Sequence, residues 1–151
     1  MDLYSVALFV HIVGAVLVFV LLTIEGLGLR FGFDYASLNR TLGPVAGLAI
    51  FVPGIYMMAA QWGWAGWTVT GIATYVVIAG VGAYTGIGVM RRRINRNTAT
   101  VSWLVRIGMA LGVAFDMTVK PSLLVSVLAV IVGVSLAAGV AALARRQLVA
   151  A

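Results

Sequence analysis

The sequence predicts an all-α fold, a polytopic transmembrane bundle of five helices, and three observations carry that prediction. The 151 residues are 63% hydrophobic and only 9% charged, with a mean hydropathy of +1.12, more apolar surface than a soluble domain of this length can bury. Five stretches reach the roughly 20 apolar residues that a bilayer core about 30 Å thick requires. Eight of the ten Lys and Arg residues fall in three places between or after those stretches: Arg30 with Arg40, the cluster Arg91, Arg92, Arg93 and Arg96, and the terminal pair Arg145 and Arg146. The positive-inside rule puts all three in the cytoplasm, so an even number of crossings must separate each from the next. That fixes the N-terminus outside and the C-terminus in the cytoplasm.

Each crossing can be justified in turn. Residues 3–29 form the first, ending at Arg30; the run is too long for a signal-peptide core and lacks a basic leading region. Residues 42–60 return outward, with Pro44 in the first turn and Pro53-Gly54 a kink. Trp62, Trp64 and Trp67 crowd the next turn as an interfacial aromatic belt. Residues 67–90 run inward to the arginine cluster. Residues 98–119 carry Arg106 and Asp116 within their length, yet without this crossing the clusters at 91–96 and 145–146 would lie on opposite faces. The fifth crossing, 121–144, opens on Pro121, a residue suited to a helix start. Connections are short and no repeat or low-complexity linker interrupts them, so residues 1–151 read as one domain.

The net charge of +6 would suggest nucleic acid in a soluble protein, but here the basic residues flank apolar spans, where anionic lipid accounts for them. No nucleic-acid role is assigned; the bilayer is the first partner, with a membrane-protein partner or a homo-oligomer as the second. The absence of cysteine excludes disulfides, thiolate metal sites and covalent haem attachment through C-x-x-C-H. No nucleophile–base pair, phosphate loop or carboxylate dyad is evident, so no enzymatic activity is assigned. Glycines spaced by four, Gly28/Gly32, Gly43/Gly47, Gly82/Gly86 and Gly108/Gly112, read as helix-packing seams.

Polar residues within the spans carry the functional information, because charge facing lipid is costly and turns inward. On the fourth helix Ser102, Arg106, Met109, Val113, Asp116 and Lys120 recur at spacings of three and four, which predicts one inward stripe. His11 and Glu25 lie two heptads apart on the first helix and share a face. At 1.5 Å per residue, His11 lies about 12 Å below the outer end, level with Val113, whereas Glu25 and Arg106 both fall in the inner half. Two layers follow. The inner is a structural Glu25–Arg106 ion pair. The outer gathers His11, Asp116 and Lys120 with Met57, Met58 and Met117, an imidazole and thioether set that suits a low-spin haem iron or soft copper with His11 as the metal ligand.

The segment Leu8-Phe9-Val10-His11-Ile12-Val13-Gly14-Ala15 resembles the first-helix motif of CopD-type copper-resistance membrane domains, of the haem-containing bacterial protoporphyrinogen oxidase family, and of an uncharacterised family of small bacterial integral membrane proteins. Similarity to the last extends over most of the chain, through Gly43-Pro44, Pro53-Gly54, the basic cluster after the third helix and Lys120-Pro121. In the oxidase family a first-helix histidine binds haem and a Lys-Pro at the end of the fourth helix is functionally important; the resemblance implies those roles for His11 and Lys120, and haem b as the cofactor. Three departures stand against a shared reaction: the arginine after the first helix comes later, at Arg30, the acidic residue near the start of the fourth helix has no counterpart, and a fifth helix is added. Fold alone does not transmit function. The residues therefore support a haem or metal pocket in the outer half of the bundle, with a non-catalytic accessory or assembly protein as the alternative and a small transporter after it.

Overall fold

The computed structural model describes the backbone of residues 2–150 and the side chains of residues 2–143. Five helices follow one another: α1 (Leu3–Phe31), α2 (Ala36–Met57), which continues into a π-helical turn (Met58–Trp62), α3 (Gly66–Met90), α4 (Arg96–Val119) and α5 (Leu123–Ala150). Among the described residues there is no strand, and all five helices are long and apolar enough to cross a membrane. Their outward-facing side chains are apolar, as lipid contact demands: Phe9, Leu124 and Leu136 are each about two-thirds exposed.

Helix ends are set by local chemistry. The Asp2 carboxylate accepts from Ser5 N–H at 2.7 Å to start α1, and Gly32, at φ 82°, ends it by donating to Gly28 O. Here a left-handed residue is required, which glycine supplies without strain. Asn95 caps α4 by accepting from Thr98 N–H at 2.9 Å. Several boundaries differ from those read in the sequence. α1 runs on through Arg30 to Phe31. α2 begins six residues earlier than residue 42, because Asp34 accepts from Ala36 N–H and nucleates the turn; Pro44 therefore lies inside the helix rather than in its first turn. α4 begins at Arg96. α5 begins at Leu123, since Lys120 adopts a left-handed conformation (φ 51°, ψ 54°) that ends α4 and leaves Pro121 outside both helices. Arg145 and Arg146 carry side chains outside the described residues.

The chain alternates between two ends. Trp62, Trp64 and Trp67 mark one, the tryptophan end; Arg30, Arg40 and residues 91–96 mark the other, the arginine end. α4 packs closely on α5 and α1 on α2, while α2 and α3 touch much less. The tight contacts use absent side chains. A Cβ at Gly112 would lie 2.7 Å from Val130 Cα, Gly108 and Gly133 press backbone to backbone, and a Cβ at Gly14 would lie 2.8 Å from the Ala49 carbonyl carbon. Of the glycines spaced by four, Gly32, Gly43 and Gly86 meet no neighbouring element, so only part of that pattern is a packing seam.

The candidate site, a cavity beside His11

Two polar layers stack along the bundle axis. In the layer toward the arginine end, the Arg106 guanidinium of α4 forms a two-pronged ion pair with Glu25 of α1: NH1 donates to Glu25 Oε2 at 3.0 Å and NH2 donates to Oε1. Both side chains are 6% exposed. Two parallel N–H···O bonds fix the geometry as well as the charge balance. Asn39 of α2 adds a third donor to Oε2 at 3.3 Å. Beside it, burial first and the Glu25 carboxylate second push the Tyr35 phenol up from its ordinary value. Arg96 ties the same end together by donating to the carbonyls of Leu29 and Arg30, capping α1 from α4. Trp103 donates to Leu22 O at 2.7 Å, and Ser102 meets Thr85 of α3 at 2.7 Å.

The layer toward the tryptophan end is open where the first is filled. A cavity of about 620 Å³ lies among α1, α2, α3 and α4, and His11, Met57, Met58, Met117 and Lys120 all line it. His11 Nδ1 lies 2.8 Å from the Ile50 carbonyl oxygen. A carbonyl only accepts, so Nδ1 carries a proton and donates, and Nε2 is the ring nitrogen left free of this bond. Gly54 makes room for the ring, for a Cβ there would lie 3.2 Å from His11 Cε1. The π-helical turn gives Met58 and Trp62, four apart, to the same cavity wall; such turns are frequent at functional sites.

Four side chains from the ends of four helices close the cavity at the tryptophan end. Trp62 donates to the Tyr4 hydroxyl at 2.9 Å, and its ring meets Trp67 edge-on with centroids 5.4 Å apart. The Lys120 ammonium lies 3.7 Å from the Trp62 centroid. Trp62 and Trp67 thus serve the cavity, and of the three tryptophans in the turn only Trp64, 79% exposed, has the position expected of a lipid-interface anchor.

Asp116 stands apart from the residues with which the sequence grouped it. It is fully buried but does not line the cavity. It turns toward α5, where the Ser126 hydroxyl faces it, although neither carboxylate oxygen nor Ser126 Oγ closes a hydrogen bond among the described residues. The reason is helical phase. Ten residues beyond Arg106, Asp116 lies about 80° round the helix from it, on the side where Gly108 and Gly112 meet α5. Among the described residues no three His, Asp or Glu side chains converge as a metal cluster, so a metal at His11 would draw on thioether partners. Asn39 and the Ile50 carbonyl were not legible in the sequence as partners, because Asn39 lies in a polar stretch outside the spans read there and a backbone acceptor leaves no signal. Comparison with protein-family models, curated proteins and solved structures finds no match.

Proposed function

We propose that the cavity binds haem b, which His11 Nε2 would hold, in a bacterial inner-membrane protein whose tryptophan end faces outward and whose arginine end faces the cytoplasm. The observation that carries the reading is the Nδ1–H bond to Ile50 O, which orients the imidazole and leaves Nε2 as the donor atom beside the cavity. Histidines that ligate metals characteristically donate their other ring N–H in this way. The fit is favourable in size and chemistry. The volume of 620 Å³ lies within the roughly 300–1,000 Å³ of ligand pockets. Met57, Met58 and Met117 would offer thioether sulfurs as further ligands, and Lys120 at the rim would neutralise a carboxylate substituent. Haem with such ligands supplies reversible one-electron chemistry. The same imidazole and thioethers would suit Cu(I).

The test is an absorption spectrum of the detergent-purified protein before and after dithionite, after expression with ample haem and copper. A Soret band that His11→Ala abolishes in a protein still folded supports the reading, and Lys120→Ala should weaken haem retention without removing the ligand. No band and no bound metal would overturn it. One observation favours a second reading: the bond to Ile50 O already ties α1 to α2, which is all that a colourless accessory or assembly protein would need of His11. Orientation is tested separately. Cysteines introduced at Asn97 and Gln147 should both label from the cytoplasmic side, and labelling from opposite sides would overturn the proposed topology.

A further inference from the structure

The walls of the cavity are unequal, and their inequality bears on what can enter. Toward water at the tryptophan end, Tyr4, Trp62, Trp67 and Lys120 meet across the opening. Toward the arginine end, the Glu25–Arg106 pair fills the bundle. Along the sides, α1 and α2 touch backbone to backbone at Gly14. α3 and α4 are joined beside the cavity by Met117 against Gly71, and α1 and α4 are tied toward the arginine end by Glu25 with Arg106 and by Trp103 against Gly26. The seam between α2 and α3 is different. These helices pack little against each other. What bridges them is Phe51 of α2 stacked on Tyr75 of α3, with centroids 5.9 Å apart and planes 23° from parallel. The Tyr75 hydroxyl reaches over Gly47, where a Cβ would lie 2.7 Å from it. Both rings also line the cavity, so they form a wall one side chain thick between it and the surrounding lipid.

We propose that the cavity is loaded sideways from the bilayer, between α2 and α3, by a flat aromatic hydrophobe that displaces the Phe51–Tyr75 stack, and not from water past the tryptophans. Two near-parallel rings separate or tilt by rotation about their own side-chain bonds, with no break in either backbone. A flat ring system entering edge-on exchanges the stacking of Phe51 on Tyr75 for stacking on itself, so that little aromatic contact is lost. Among the described residues no ion pair joins α2 to α3. The identity of the occupant as haem rests on the reading above, whereas the route rests on the walls alone.

The absence of cysteine allows one thiol to be placed in the cavity by Val113→Cys. In phospholipid vesicles, that thiol should react with a bilayer-soluble pyrene maleimide and about tenfold more slowly with a charged, membrane-impermeant methanethiosulfonate presented from either side, because a charge does not cross apolar walls. Phe51→Ala or Tyr75→Ala should speed the pyrene reaction about threefold and leave the charged reagent unchanged. Phe51→Leu, which keeps the bulk and loses the flat face, gives a milder version of the same change should either alanine variant misfold. Equal reactivity toward both reagents would overturn the route, as would acceleration by Trp62→Ala but not by the Phe51 and Tyr75 variants. Haem loading from vesicles should quicken in the same two variants. Labelling as expected in a protein that takes up no haem would support the route and overturn the occupant.

Discussion

The arginine half and the tryptophan half of the bundle solve the same problem in opposite ways. Each must keep polar side chains out of contact with lipid. In the arginine half, Glu25 is answered by Arg106 and Asn39, so both carboxylate oxygens are engaged. In the tryptophan half, His11 is answered by a backbone carbonyl, which engages one nitrogen and leaves the other beside a cavity. A charge met by a charge closes a site, while an imidazole met by a carbonyl leaves one open. The α4–α5 seam is a third case, where Asp116 and Ser126 face each other without a closed hydrogen bond.

The comparison is broken most forcefully at Glu25. Glu25→Ala leaves Arg106 as an uncompensated buried cation and should cost about 3–5 kcal/mol, whereas replacing both by apolar residues should recover much of that loss. Unfolding in mixed micelles of the two single variants and the double variant provides the cycle. Additive losses would show that the pair is not coupled. Next in size is Gly133→Ala on α5, whose Cβ would collide with the Gly108 carbonyl oxygen. Backbone atoms cannot rotate away, so α4 and α5 must separate, at a cost of about 1–3 kcal/mol. The same change at Gly139, which meets no neighbouring element, should be almost silent; equal losses at the two positions would refute the close-packed seam.

The sign reverses at Asp116. If neither it nor Ser126 is satisfied by a partner, Asp116→Leu with Ser126→Ala removes two groups that gained little and should stabilise the bundle by about 1 kcal/mol. A loss of the size seen at Glu25 would mean that the seam holds a strong interaction. This is also the residue that sequence spacing misplaced. Helix number followed from hydropathy and basic clusters, and the proximity of Glu25 to Arg106 from helical rise and the cost of charge in lipid. Both are one-helix or one-pair arguments. Asp116 required knowing which helix α4 meets on each side. A seven-residue repeat also drifts about 20° round a straight helix, so a stripe that begins facing α1 need not end there. The early start of α2 was hidden because Pro44 reads as a first-turn proline, while the turn at Asp34 that precedes the helix lies in a segment too polar to count as a span.

The smallest expected effect lies at the outermost polar group of the tryptophan half. Asp2 caps α1 through Ser5 N–H, and hydrogen bonding from the Ser5 side chain and then its backbone holds the carboxyl below its usual value of 3.8. A carboxyl whose folded value is depressed stabilises fully above its unfolded value and loses that contribution as pH falls through the folded one. Protection of the first turn of α1 against hydrogen exchange should therefore be level from about pH 7 down to about pH 5 and decline below about pH 4. Asp2→Asn keeps an acceptor at the cap without a titrating proton, so its protection should be flat across this range; Asp2→Ala should lower protection at every pH. Because Asp2 is fully exposed, neither variant should shift global unfolding measurably or alter the cavity around His11. An acid-dependent loss that persists in Asp2→Asn would place the titrating group elsewhere.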